Sequence, residues 1–190
     1  MSQEAILIRS ETPADHAAIS EVVSLAFGRA DEARLVGALR ASEAFIPELS
    51  LVAEFDGRIV GHLLFTRLHI RTPDASVAAL ALAPLSVHPE VQNRGIGMQL
   101  TRDGLDRCRR LSHGLVIVLG HPTYYPRFGF RPAVPAGILA PFPLRDDSAF
   151  MVLELVPNAL QGCRGTVEYP PEFGIASGPA PAVERRRGDK

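Results

Sequence analysis

Residues 92–97 (QNRGIG) connect an apolar stretch to a helix with a regular hydrophobic pattern. The stretch before them predicts a buried strand from Leu80 to Val87, and the apolar residues after them recur on one helical face as far as Leu111. Glycine lets a ligand approach the main chain without meeting a Cβ, and the first amides of a helix have no partner within the helix. Because the helix dipole adds partial positive charge there, this arrangement predicts a site for an anion, most often a phosphate group.

Two common phosphate-binding turns do not fit these residues. A P-loop needs Lys and then Ser or Thr directly after its second glycine, and neither follows Gly97. A dinucleotide fingerprint that began at Gly95 would need glycine at position 100, where the chain has Leu100. A third pattern, Gln/Arg-x-x-Gly-x-Gly/Ala, is matched at each fixed position by Gln92, Gly95 and Gly97. By itself, this match also fits a helix start that needs glycine only for packing.

A second motif follows the apolar segment 115–119, which predicts a strand covered on both faces. Residues 120–130 (GHPTYYPRFGF) contain Tyr-x-x-x-Gly-Phe, formed by Tyr125, Gly129 and Phe130. The two motifs, in this order and each after a strand, resemble those of the GNAT superfamily of N-acetyltransferases. The resemblance extends over residues 6–157, and the flanking residues are similar to the bacterial YhbS-type predicted N-acetyltransferases. In that superfamily the first motif binds the pyrophosphate of acyl-coenzyme A (acyl-CoA).

The resemblance implies an α/β (α+β) GNAT fold. Its mixed central sheet has about seven strands with helices on both faces, and two parallel central strands splay apart. We expect the GNAT domain over residues 1–157 and a C-terminal extension over residues 158–190, whose last dozen residues are expected to be flexible. Asp56-Gly57 predicts a hairpin, and the second strand of that hairpin mixes apolar residues with His62, Arg67 and His69, which predicts one solvent-facing side.

The same resemblance implies which residues bind the co-substrate, acetyl-CoA. Its pantetheine arm would lie between the splayed strands and hydrogen-bond the main chain of Leu85 and Val87. Gln92 would shape the turn, and Arg94 would add positive charge. The pyrophosphate would bind five consecutive main-chain amides, those of Arg94, Gly95, Ile96, Gly97 and Met98.

Acyl transfer to an amine needs a proton donor for the departing thiolate, and Tyr125 matches the superfamily's candidate for this general acid. A phenol has an ordinary pKa of about 10, so it holds its proton at neutral pH and can release it as the carbon–sulfur bond breaks. The structural alternative is that Tyr125 is only an aromatic wedge between a short helix and the sheet. We expect its neighbour Tyr124 to point elsewhere.

The sequence leaves the general base open. Many members of the superfamily carry a glutamate on the first central strand, but residues 78–87 contain no carboxylate. His121, just before the short helix, has the best position among the candidates. His88, Glu54 and His62 are weaker candidates, and water is a further one. The missing carboxylate keeps open a non-catalytic acyl-CoA sensor on the same fold. A transferase that uses a longer acyl donor is a further alternative, since the Pro-rich loop 132–143 and the segment after residue 157 would shape its pocket.

The amino-acid composition limits the classes of protein to which this chain can belong. The 190 residues are 46% hydrophobic and 22% charged with a net charge of -1, which fits one globular domain and gives no basic surplus for nucleic acid. We interpret the arginine run at 185–187 as solvated charge. The chain has no apolar run long enough for a membrane span and no signal-peptide pattern, so we expect a cytoplasmic protein.

The expected partner is an acceptor substrate, either a small-molecule amine or a protein amine. Neither nucleic acid nor a membrane is expected as a partner, and a homodimer stays open. The six histidines and two cysteines do not show the spacing of metal ligands, so no metal site is expected.

Overall fold

The computed structural model describes residues 6–175, so the predicted flexible tail and the arginine run at 185–187 lie outside the described residues. Within this range, three helices and nine strands carry the fold. The helices are α1 (His16–Phe27), α2 (Asp31–Arg40) and α3 (Ile96–Arg110). The strands are β1 (Leu7–Ser10), β2 (Phe45–Phe55), β3 (Arg58–Arg71), β4 (Ser76–Val87), β5 (Leu115–Leu119), β6 (Arg131–Pro132), β7 (Ile138–Leu139), β8 (Phe150–Glu154) and β9 (Gly165–Glu168).

All nine strands belong to one mixed sheet. Seven lie in the order β1-β2-β3-β4-β5-β8-β6, and β9 pairs with both β3 and β7. Because β4 and β5 are parallel and most other pairs are antiparallel, the predicted mixed sheet with parallel central strands is confirmed. The sequence does not predict β7 and β9, because such short strands show no clear periodicity. β9 lies in the predicted C-terminal extension, and the boundary at residue 157 stays a prediction.

Side chains alternate between the two faces of the sheet, and helices cover both faces as predicted. On one face, α3 packs over a core that includes the fully buried Leu63 and Phe65. On the other face, α1 and α2 pack over Val52 and Leu64, which are also fully buried. Among residues 6–175, no helix is long and apolar enough to cross a bilayer.

The two parallel strands separate soon after they meet. Leu80 lies opposite Val116 and Ala81 lies opposite Ile117, and these are the two paired positions of β4 and β5. β4 then continues to Val87, still paired with β3 on its other edge. A gap therefore opens between the carboxyl ends of the central strands, as the resemblance implies.

The prediction of a solvent-facing side along β3 is correct only at one end. Arg67 and His69 are exposed, but His62 is fully buried. The prediction is wrong at His62 because α1 and α2 pack against the face of β3 that carries His62 and Leu64. The sequence of β3 does not reveal this cover, since both helices come from an earlier part of the chain.

His62 belongs to a buried polar cluster with Glu11, Arg40 and Ser50. The Glu11 carboxylate accepts hydrogen bonds from Arg40 Nε at 2.6 Å and from Ser50 Oγ at 2.7 Å. His62 Nε2 lies 3.1 Å from Ser50 Oγ and 3.4 Å from a Glu11 oxygen. Because burial lowers the pKa of His62, the imidazole is neutral and its contact with Glu11 is a hydrogen bond rather than an ion pair. The cluster ties α2 and the segment before α1 to the sheet.

Glu11→Gln is expected to lower the free energy of unfolding at pH 7 by about 3 kcal/mol, because Arg40 loses its buried partner. Burial alone would raise the pKa of Glu11, but hydrogen bonds from His62, Arg40 and Ser50 outweigh it and hold this pKa below its ordinary value of 4.5. A carboxyl whose pKa is lower in the folded state stabilises the fold above its unfolded pKa. The difference between wild type and variant should therefore shrink as the pH falls below about 4.5.

Urea unfolding at several pH values measures both effects. Asp106→Asn is the control, because it removes an exposed ion pair with Arg109, and such pairs contribute little. Equal losses in the two variants at pH 7 would contradict the role given to Glu11.

Helix α3 lies unusually close to the sheet at Gly104. A Cβ at this position would lie 2.5 Å from Phe65 Cε2 and 2.9 Å from Leu63 Cδ2, and both side chains are fully buried. Gly104→Ala is therefore expected to lower the free energy of unfolding by about 1–3 kcal/mol. In α2, a Cβ at Gly37 would meet nothing within 4 Å, so Gly37→Ala should raise it by about 0.5–1 kcal/mol. Urea unfolding that gave both changes the same sign would refute this packing argument.

Candidate active site

A cleft of about 680 Å³ opens at the carboxyl end of β4, beside the start of α3. Its volume suits a small-molecule ligand, and ligands of α/β proteins commonly bind where neighbouring parallel strands diverge. Three segments border it: the end of β4, the turn into α3 and the segment after β5. The lining residues are Leu85, Val87, Gln92, Asn93, Gly95, Ile96, Gly97, Met98, His121, Thr123, Tyr124, Tyr125 and Arg127.

The turn into α3 presents main-chain amides to the cleft. Gly95 is the N-cap of the helix and has a φ of 82°, a left-handed conformation that glycine adopts without strain. Within the part of the chain that the structure describes, the amides of residues 94–98 donate to no main-chain acceptor. No carboxylate stands among the described lining residues. Free donors, the positive end of a helix dipole and the lack of negative side chains make this turn suitable for an anion.

The end of β4 turns a main-chain edge toward the gap. His88 donates its amide to the Val60 carbonyl of β3 at 2.8 Å, so alternate residues before it also face β3. The intervening residues, Leu85 and Val87, therefore direct their amides and carbonyls away from β3. The Val87 carbonyl accepts a hydrogen bond from Gln92 Nε2 at 3.0 Å, which ties the turn to the strand. The main chain of Leu85 remains available to a ligand in the gap.

Tyr125 begins a single-turn helix, Tyr125–Phe128, after β5. The residue is 7% exposed, and its ring lies against Gly120 and meets Phe130 edge-on, with ring centroids 5.5 Å apart. Burial raises the pKa of Tyr125, and the neighbouring Tyr124 raises it further, so the phenol keeps its proton at neutral pH. Because the ring is packed and the residue still lines the cleft, a wedge and a proton donor are compatible roles for Tyr125.

Tyr124 also lines the cleft, so the expectation that it points elsewhere is wrong. Its hydroxyl lies 3.5 Å from Thr101 Oγ1, and a Cβ at Gly97 would lie 3.1 Å from the same hydroxyl. The rings of Tyr124 and Tyr125 are almost perpendicular, with centroids 5.0 Å apart. In a 3-10 turn, successive side chains diverge by about 120°, so two neighbours can border one cleft from different sides.

The candidate bases lie in different parts of the molecule. His121 lines the cleft with an exposed side chain, and its carbonyl accepts hydrogen bonds from the amides of Tyr124 and Tyr125 at 3.0 and 3.4 Å. His62 is buried on the sheet face opposite α3, and His88 is not part of the cleft lining. Glu54 is hydrogen-bonded to Arg9 at 2.9 Å. Of these four residues, His121 alone borders the cleft.

The cleft brings together the predicted residues with one exception. Arg94 is exposed and is not part of the lining, so its contribution of charge stays a prediction. Sequence reasoning missed Asn93, Thr123 and Arg127. The Arg127 guanidinium lies 5.4 Å from the centroid of the Tyr124 ring, and their three-residue spacing, typical of one face of a 3-10 helix, is a signal that could have revealed this pair.

Comparison with known proteins supports the resemblance seen in the motifs. The family described as "Acetyltransferase (GNAT) domain" matches residues 7–133. The uncharacterized N-acetyltransferase YjhQ of Escherichia coli K12 is 44% identical over 134 residues, which are 70% of this chain and 74% of YjhQ. The uncharacterized N-acetyltransferase YhbS of the same strain is 34% identical over 169 residues, which are 88% of this chain and 98% of YhbS.

Two similar crystal structures contain a coenzyme. Escherichia coli YhbS in complex with CoA superposes with a TM-score of 0.84 and 31% identity, over 92% of this chain and 94% of that one. A GNAT family acetyltransferase from Brucella melitensis in complex with acetyl-CoA gives a TM-score of 0.73 and 33% identity, over 90% of this chain and 99% of that one. With its family match, its relatives and its mixed sheet in agreement, this chain belongs to the GNAT family of acetyltransferases.

Proposed function

We propose that this chain transfers an acetyl group from acetyl-CoA directly to a primary amine. The observation that carries the proposal is that the free amides at the start of α3 and the main-chain edge of β4 border one cleft. The complexes of YhbS with CoA and of the Brucella protein with acetyl-CoA support the same co-substrate for this chain.

The diphosphate of CoA would bind the main-chain amides at the helix start, where donors are free and the dipole is favourable. These amides belong to Arg94, Gly95, Ile96, Gly97 and Met98. The pantetheine arm would extend along Leu85 and Val87, whose main-chain groups face the gap. Gln92 would hold the turn in this position through its bond to the Val87 carbonyl.

The reaction forms a carbon–nitrogen bond and breaks a carbon–sulfur bond. The amine lone pair attacks the thioester carbonyl carbon, and the thiolate of CoA departs. Tyr125 donates its phenolic proton to this thiolate and later regains a proton from solvent. The amine loses one proton, to His121 or to water. We propose a small-molecule or protein amine as the acceptor, the cytoplasm as the compartment, and neither nucleic acid nor membrane as a partner.

Two measurements on the full chain test this proposal. Isothermal titration with acetyl-CoA should show binding in the micromolar range. Release of free CoA thiol should then depend on both acetyl-CoA and an amine, within a panel of small amines and lysine-containing peptides. Absence of binding would refute the proposal. Binding without thiol release from either acetyl-CoA or longer acyl-CoA would favour a sensor. Thiol release only from longer acyl-CoA would show that the chain transfers a longer acyl group instead of acetyl.

A further inference from the structure

Tyr124 brings a side-chain hydroxyl to the start of α3. A Cβ at Gly97 would lie 3.1 Å from this hydroxyl, 3.7 Å from Val87 Cγ2 and 4.0 Å from Leu85 Cδ2. The three atoms nearest to this Cβ position therefore belong to two apolar side chains of β4 and to one polar group, the phenol of Tyr124. This places the phenol beside the same turn that presents the free amides.

The proton of this phenol is not used in a strong hydrogen bond. Thr101 Oγ1 donates its own proton to the Gly97 carbonyl at 2.8 Å, so it cannot also donate to Tyr124. Tyr124 can donate to Thr101 only across 3.5 Å, which is at the outer limit for a hydrogen bond between hydroxyl groups. A half-buried phenol without a well-placed acceptor forms a stronger hydrogen bond when a ligand brings an acceptor within reach.

The ring of Tyr124 is held in place on several sides. Arg127 lies over the ring at 5.4 Å, Tyr125 meets it edge-on at 5.0 Å and Phe128 packs against it at 5.3 Å. Burial raises the pKa of Tyr124, so the hydroxyl is protonated at neutral pH. The donor is thus fixed in position before any ligand binds, which reduces the entropy lost on binding.

We propose that the Tyr124 hydroxyl donates a hydrogen bond to a diphosphate oxygen of the coenzyme, next to the amides of α3. This inference rests on the proposed function and adds a binding residue to it. It also gives the two neighbouring tyrosines different roles. Tyr124 holds the coenzyme at the helix start, and Tyr125 gives a proton to the sulfur.

Tyr124→Phe tests this assignment, because it removes the hydroxyl and keeps the ring that packs against Arg127. By isothermal titration, the Kd for CoA should rise about tenfold, the effect of one hydrogen bond to a charged acceptor. The value of kcat at saturating acetyl-CoA should stay within about twofold. Weak binding of pantetheine, which lacks the diphosphate, followed by NMR at millimolar concentration, should not differ between wild type and variant.

Thr101→Val is the matched control, because it removes the other hydroxyl of the pair with little change in shape. It should leave the Kd for CoA within about twofold. An equal loss in Thr101→Val would show that Tyr124 acts only by its bond to Thr101 and would overturn the proposal. An unchanged Kd in Tyr124→Phe, a fall in kcat alone, or an equal loss of pantetheine binding would each overturn it too. Failure of wild type to bind CoA would instead refute the proposed function.

Discussion

Tyr125→Phe is expected to lower kcat by at least about 100-fold, because a positioned proton donor contributes about 10²–10⁴-fold. The Kd for CoA should stay within about twofold, since phenylalanine keeps the ring that packs against Gly120 and Phe130. Burial raises the pKa of Tyr125 above its ordinary value, so the wild-type rate should not fall on the alkaline side until above about pH 10. Thiol release at saturating acetyl-CoA, measured from neutral pH to above about pH 10, gives the change in kcat and the alkaline limit, and isothermal titration gives the Kd for CoA.

Tyr169→Phe is the matched control for this effect. Tyr169 is also a largely buried phenol with a raised pKa, but its ring stacks on Phe142, packs against Phe173 and does not line the cleft. Its replacement should leave kcat unchanged. If Tyr125→Phe retained wild-type activity, or if both variants lost activity equally, Tyr125 would have no specific part in proton transfer.

Gly97→Glu is expected to raise the Kd for CoA by at least about 100-fold. The new carboxylate would extend from a position that already lies 3.1 Å from the Tyr124 hydroxyl and close to Val87. It would fill the space beside the α3 amides and place negative charge where the diphosphate is proposed to bind. Two like charges about 4 Å apart near a protein surface repel by roughly 4 kcal/mol, which is more than 100-fold in affinity.

Two further variants separate blockage from a general effect of charge. Gln99→Glu adds the same charge to the first turns of α3, but Gln99 is exposed and lies outside the cleft lining, so its effect should be small. Gly97→Ala should raise the Kd less than Gly97→Glu does, because its single methyl group only crowds the Tyr124 hydroxyl. Circular dichroism should show that all three variants fold. Equal losses in Gly97→Glu and Gln99→Glu would mean that overall charge explains the effect and that the anion does not bind at this turn.

The sequence alone predicts the part of the cleft that comes from one continuous segment of the chain. The strand that ends at Val87, the glycine turn and α3 follow one another in the chain, so strand pattern, turn residues and helical periodicity locate them together. Residues 115–118 are buried, which confirms the predicted strand with cover on both faces, although Leu119 is 52% exposed. The order of the two motifs indicates the family, and the resemblance to that family predicts that the two central strands splay apart.

Features that depend on contacts between distant segments could not be predicted from the sequence. The burial of His62 depends on α1 and α2, and its contacts Glu11 and Ser50 lie far from it in the sequence. The position of Tyr124 depends on how the single-turn helix is set against α3, which no sequence period reports. Short strands such as β7 and β9 form only because neighbouring strands offer them an edge.

A crystal structure of the full chain with CoA is the most direct test of the central claim. We predict diphosphate oxygens within hydrogen-bond distance, about 2.7–3.2 Å, of the main-chain amides between Arg94 and Met98. We also predict that the pantetheine arm lies in the gap beside Leu85 and Val87. A coenzyme bound elsewhere, or a diphosphate held only by side chains away from the start of α3, would contradict the claim.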